Sequence, residues 1–121
     1  MLQYRRGQFF RAHTDGFSGP TSACGFADSG RLVTVFVYLN EVASGGETLF
    51  PQLGLEVRPE KGAAVVHFPE TLGLEQDLRT EHEGAKAVDE KWLLATWVWA
   101  HRRTDDTYAE ERLPSLSMDT I

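Results

Sequence analysis

Apolar residues in this chain fall in short runs broken by Gly, Pro, Asn and Asp, without the recurring spacing of a long amphipathic helix. The stretch LQYRR, then Gly7, then QFFRAH reads as two strands or one bent strand. Residues 16–30, GFSGPTSACGFADSG, are rich in Gly and Ser and read as a loop over whatever site precedes them. RLVTVFVYLN (31–40) carries β-branched and aromatic residues on both parities, which predicts a strand covered on both faces. EVASGGETLFP predicts a turn and a short strand, and LEVRPEKGAAVVHF two strands around a Pro/Lys/Gly turn. PETLGLEQD reads as loop, and LRTEHEGAKAV with KWLLATWVWA as a closing hairpin about Asp89 and Glu90. About eight short strands without crossover helices predict an all-β fold, an antiparallel sandwich or jelly roll.

The chain has 121 residues, which favours one domain. The expected division is a β core over 1–101 and a polar, peripheral tail, helical or disordered, over 102–121. The formal net charge of -6 argues against nonspecific binding to nucleic acid or an anionic membrane. No apolar run reaches the roughly 20 residues of a membrane-spanning helix. Cys24, the single cysteine, excludes an internal disulfide and points toward a reducing, intracellular setting. The start, MLQYRRGQFF, lacks the apolar stretch of a signal peptide and enters strand-like sequence at once, so N-terminal elements, helices included, are expected to be missing.

Candidate chemistry begins at RAHTDGF. Residues i and i+2 of a strand share a face, so His13 and Asp15 can aim into one cavity. The other histidines are His67, His82 and His101. His82, in RTEHEG, lies where a neighbouring strand brings it against the first pair. His67, in apolar AAVVHF, reads as a half-buried packing residue, and His101 stands where the last strand frays. Two imidazoles and a carboxylate leave three positions open on an octahedral ion, the facial arrangement of non-haem Fe(II) oxygenases. A structural zinc site would ask for four protein ligands and more sulfur. Alone, H-x-D with a later His more often marks ordinary surface or core histidines. Lys91 adds to it: its side chain shares a face with Leu93, Ala95, Trp97 and Trp99, and a lysine ending an inward apolar row needs an anionic partner. The alternative is a strand-end lysine reaching solvent along its stem.

YRRGQFFRAHTD, RLVTVFVYLN, GGETLFP, and HEG followed by KWLLATWVW together resemble, in order from Tyr4 to about Trp99, the prolyl 4-hydroxylase branch of the 2-oxoglutarate and Fe(II)-dependent dioxygenases. The resemblance implies a double-stranded β-helix, a cupin-like jelly roll, with Fe(II) held by His13, Asp15 and His82. It implies that Lys91 meets the distal carboxylate of 2-oxoglutarate, with Tyr4, Tyr38, Thr48 and Trp97 beside that cosubstrate. Arg31 and Trp99 are the implied substrate contacts: Arg31 matches an arginine near the peptide groove, and Trp99 a position often histidine in collagen-type enzymes. Tyr4 and Tyr38 also suit sheet packing, Thr48 an ordinary strand position, and Trp97 the core.

The implied activity is hydroxylation of peptidyl proline, with O2 as cosubstrate and 2-oxoglutarate converted to succinate. Ascorbate use is a further expectation. Val33, Val35 and Trp97 are expected to form an apolar wall, and residues 16–30 a mobile loop over the peptide. HEGAKAVDEK departs from the family pattern by placing Lys86 where proline is common. That leaves the peptide preference open. Hydroxylation of peptidyl lysine or a free amino acid on the same barrel, or a catalytically impaired module that binds metal and peptide, are the competing readings.

Overall fold

The computed structural model describes residues 1–104. Eight strands form: β1 (Leu2–Tyr4), β2 (Phe10–His13), β3 (Arg31–Tyr38), β4 (Thr48–Phe50), β5 (Leu55–Val57), β6 (Ala64–His67), β7 (His82–Gly84) and β8 (Lys91–Trp99). They build two four-stranded sheets, ordered β1-β8-β3-β6 and β2-β7-β4-β5, and every pairing is antiparallel. This is the jelly-roll architecture that the strand pattern predicts. The expected tail from residue 102 lies outside the described residues beyond Thr104, whose N–H donates to the Gly25 carbonyl at 2.8 Å. Among the described residues no helix is long and apolar enough to cross a membrane.

The long central strands β3 and β8 supply most of the core. On β3 the even positions Thr34, Phe36 and Tyr38 are buried, and they face Leu93 and Ala95 of β8 across the ladder. Phe36, Tyr38 and Leu93 form the buried cluster, with Tyr4, Val57, Val65 and Ala95 packed against it. Phe36 and Tyr38 meet edge to face, centroids 5.7 Å apart. The odd positions Val33, Val35 and Val37 turn to the opposite face, where their ladder partners Val98, Val66 and Leu94 are exposed. Two expectations fail here for one reason, the two-residue period of a strand. Residues 31–40 are not covered on both faces by the described residues, and Val33 and Val35 do not line the site.

Two bulges aim the side chains that follow. Between Arg31 and Val33 the partner residues advance only from Trp99 to Val98, an extra residue that resets the parity and turns Arg31 to the same interior as Thr34. Between Phe10 and His13 the same irregularity sets His13 opposite His82.

The closing hairpin is also corrected. Strand β7 pairs with β2 and β4, whereas β8 pairs with β1 and β3, so residues 85–90 carry the chain from one sheet to the other. A hairpin would have left His82 and Lys91 side by side in one sheet. The crossover puts them on facing sheets.

Phe36→Ala is expected to destabilise the domain by about 3–5 kcal/mol, since the residue fills the space between the sheets. Urea unfolding checks this, as a lower midpoint at unchanged slope.

Candidate active site

The interior between the sheets holds a cavity of about 330 Å³. At one end, His13 closes β2, Asp15 follows two residues later, and His82 opens β7. One ligand atom from each lies within 4.8 Å of the others. Each imidazole is oriented by the backbone two residues before it: Nδ1 of His13 lies 2.9 Å from the Arg11 carbonyl, and Nδ1 of His82 lies 3.0 Å from the Thr80 carbonyl. A carbonyl only accepts, so Nδ1 carries a proton in both rings; Nε2 faces the centre and offers its lone pair when the ring is neutral.

Asp15 sits among donors. Its Oδ1 is 3.3 Å from His13 Nε2, and its Oδ2 accepts from Thr34 Oγ1 at 2.9 Å. His67 Nε2 lies 3.4 Å from Oδ2, within charge–dipole reach but without hydrogen-bond alignment, and His82 Nε2 lies 4.0 Å away. Burial raises the pKa of Asp15, but its contacts with His13 and His67, the charge of His82 and the Thr34 hydroxyl outweigh that and hold it far below the usual range. The carboxylate is therefore ionised at neutral pH. For His13 the lowering by burial is outweighed by Asp15 and the Arg11 carbonyl, so its pKa ends raised. For His82 burial dominates and the pKa falls, keeping it neutral at neutral pH.

At the other end, Lys91 on β8 is 1% exposed. Its Nζ donates to the Gly46 carbonyl at 2.8 Å and stands 4.5 Å from the Tyr4 ring centroid. Both Gly45 and Gly46 adopt left-handed φ, +73° and +71°, in the GGET turn that aims that carbonyl. A Cβ on Gly45 would strike the Lys86 carbonyl and Val88 at 2.7–2.8 Å, so this turn tolerates no side chain there. Lys91 makes no ion pair among the described residues, and burial pulls its pKa down to about 8, with Glu47 only partly offsetting this. Two of its three donors remain for a ligand. Its Nζ lies 3.8 Å from where a Gly84 Cβ would stand, two residues along β7 from His82, or roughly 7 Å of strand. A short dicarboxylate has the length to bridge the two ends.

Tyr4 and Thr48 line this cavity. Tyr38 does not: it is 1% exposed, and its hydroxyl pairs with Thr48 Oγ1 at 2.9 Å, so it acts through Thr48. Trp97 is not a core residue. It lies at the rim with the Arg31 guanidinium 4.2 Å from its ring centroid, and Arg31 also donates to the Asp15 carbonyl at 3.3 Å. Trp99 stands outside the cavity, stacked on Phe26 at 4.1 Å and 8°, and so fastens the 16–30 loop to the end of β8.

Sequence reasoning missed three residues. His67 is buried beside Asp15 rather than half-buried in packing; its register partner, Thr34, was the only signal. Glu70, in the stretch read as plain loop, accepts from the Phe17 N–H at 2.7 Å and fills the space that a Gly30 side chain would need. Gln76 from the same loop donates to the Gly16 carbonyl at 3.2 Å and to Thr14 Oγ1, which pins the turn that carries Asp15.

A family model described as the 2OG-Fe(II) oxygenase superfamily matches residues 1–99. The chain belongs to this superfamily. Within it, the chain is similar to prolyl 4-hydroxylases. It is 33% identical to prolyl 4-hydroxylase subunit alpha-2 of Gallus gallus over 77% of its length, and 30% identical to prolyl 4-hydroxylase 1 of Arabidopsis thaliana over 81%. Those alignments span 18% and 39% of the two relatives. Among solved structures, the 2OG complex of the viral collagen prolyl hydroxylase of Paramecium Bursaria Chlorella virus-1 superposes with a TM-score of 0.72 at 30% identity, covering 83% of this chain and 56% of that one. A Pseudomonas putida prolyl-4-hydroxylase gives 0.56 at 29%, covering 79% and 48%. The jelly roll and its placement in the prolyl 4-hydroxylase branch are thus shared features of fold and sequence.

Because Lys91 binds its proton more weakly in the folded chain than in the unfolded one, wild-type stability should rise as the pH climbs from about 8 toward the ordinary lysine value of 10.5. Lys91→Met should abolish that rise and, near neutral pH without ligand, stabilise the domain by about 1 kcal/mol. Thermal midpoints of both chains at pH 7 and pH 10 check this; the variant should melt several degrees higher at pH 7.

Proposed function

We propose that the chain is the catalytic core of an Fe(II)- and 2-oxoglutarate-dependent hydroxylase acting on peptidyl proline. The observation carrying this is the pairing, in one cavity, of a three-donor cluster with a buried, unpaired ammonium a short dicarboxylate's length away. The donor chemistry fits the metal. Two imidazoles and an ionised carboxylate suit Fe(II), and Cys24 is exposed and does not line the cavity.

In this reading His13, Asp15 and His82 would hold Fe(II), which would bind 2-oxoglutarate and O2 alongside them. When bound, Fe(II) and 2-oxoglutarate supply the oxidising power for hydroxylation, with release of carbon dioxide and succinate. The chain's own part is positioning. Lys91 receives the distal carboxylate with two N–H donors, fixing which end of the cosubstrate reaches the iron ligands. Thr48 and the Tyr4 ring flank it. The Tyr4 phenol, its pKa raised by burial and by the Asp15 charge, stays protonated. Phe36, Leu93 and Ala95 form apolar walls that keep water from the reacting centre. At the rim, Arg31 stacked on Trp97 offers a flat face and a guanidinium edge, which suits an extended proline-containing peptide. The proline assignment is supported by the chain's similarity to prolyl hydroxylases, the viral collagen prolyl hydroxylase among them.

Succinate should form from 2-oxoglutarate in the presence of Fe(II), O2 and a proline-rich peptide, and mass spectrometry should find hydroxyproline in the product. His13→Ala, Asp15→Ala and His82→Ala should each abolish it. Lys91→Ala removes a charge-assisted contact of about 1.5–3 kcal/mol, so it should raise the 2-oxoglutarate requirement by roughly one to two orders of magnitude. Full turnover in His82→Ala, or hydroxylysine in place of hydroxyproline, would overturn the assignment at the ligand or at the substrate respectively.

A further inference from the structure

His67 is the one histidine inside the protein that the proposed chemistry leaves without a task. It closes β6 opposite Thr34 on β3 and is 7% exposed. Neither ring nitrogen has a hydrogen-bond partner in the protein. Three rings enclose it, those of Phe36, Phe50 and His82, at centroid distances of 6.4, 5.6 and 4.8 Å. Such a pocket would hold phenylalanine as well, without the roughly 1–3 kcal/mol penalty of a buried unsatisfied polar group. An imidazole there conflicts with local packing preference, and such conflicts cluster at functional positions.

Its geometry indicates a task. His67 is outside the set of three donor atoms. Its Nε2 points instead to the back of Asp15, 3.4 Å from Oδ2, the oxygen that already accepts from Thr34, while Oδ1 faces His13. A carboxylate can grip an ion through one oxygen or two. Two-oxygen binding by Asp15 would take four of six octahedral positions together with the histidines. Only two would then remain, too few for a chelating 2-keto acid and O2 together.

We propose that His67 is a positioning residue. Its Nε2–H donates to Asp15 Oδ2 and, with the Thr34 hydroxyl, keeps that oxygen off the metal, so that Asp15 binds through Oδ1 alone. At 3.4 Å the two atoms are within donor–acceptor range, and the ring has to turn to bring the N–H on line with Oδ2. The inference rests on the iron-centre reading above and extends it to a residue outside the triad.

Anaerobic calorimetric titration with Co(II), followed by the visible Co(II) spectrum, tests this on His67→Phe and His67→Gln. His67→Phe should melt at or above the wild-type temperature yet bind Co(II) ten- to a hundredfold more weakly, with an altered spectrum. His67→Gln, whose amide N–H reaches the same oxygen, should recover most of the affinity and the wild-type spectrum. Wild-type affinity and spectrum in His67→Phe would overturn the proposal, and so would equal loss in both variants. If His67→Phe does not fold, His67→Gln decides alone, near-wild-type binding supporting the role and a full loss overturning it. A wild-type chain that fails to bind Co(II) would defeat the iron-centre reading itself, a result distinct from the others.

Discussion

An ionised carboxylate in a protein interior has to be met by donors on every side, and Asp15 is where this fold satisfies that demand. Removing a carboxylate from water is costly enough that the group would otherwise neutralise itself. Here it does the reverse, its pKa held far below the ordinary range by imidazoles and a hydroxyl contributed by both sheets. His13 comes from β2 and His82 from β7, while Thr34 and His67 come from β3 and β6. Four strands of two sheets therefore have to arrive in register for this one charge to be tolerated. The bulge in β2 and the pairing of His67 with Thr34 both serve that convergence.

The opposite end of the cavity follows the opposite logic. Lys91 is left without a countercharge, and its proton is weakly held as a result. A binding site for an anion is necessarily a place where the empty protein is less stable than it could be. The strain is contained by a rigid frame, the Gly45–Gly46 turn and the Tyr4 ring, which meet the ammonium partway without satisfying it. On the proposed reading, a ligand carboxylate would meet that remaining hydrogen-bonding capacity.

Much of this was legible in the chain. His13 and Asp15 are linked by the two-residue strand period, and the same parity puts Lys91 on the face of Leu93 and Ala95. Parity was misjudged on β3, because apolar residues at odd and even positions conceal which set faces inward; Thr34, a polar residue, marks the inner face, and Val33 and Val35 the outer. Pairing between distant strands cannot be read from local pattern at all. For that reason the local pattern of β7 and β8, adjacent in sequence, suggests a hairpin, and that of His67, adjacent to the site only through the β3–β6 ladder, suggests packing. Tyr38 lies one layer behind the cavity and Trp99 outside it. Each supports a neighbour, Thr48 and the Phe26 loop respectively.

The passage of residues 85–90 from one sheet to the other puts His82 and Lys91 on facing leaves of the sandwich. A molecule gripped at both ends therefore acts as a rivet through two plates: its occupancy resists their sliding and spreading as well as filling the space between. On the proposed reading, a cosubstrate held by both leaves would couple their separation to its own release, and whatever loosens the seam would shorten its stay.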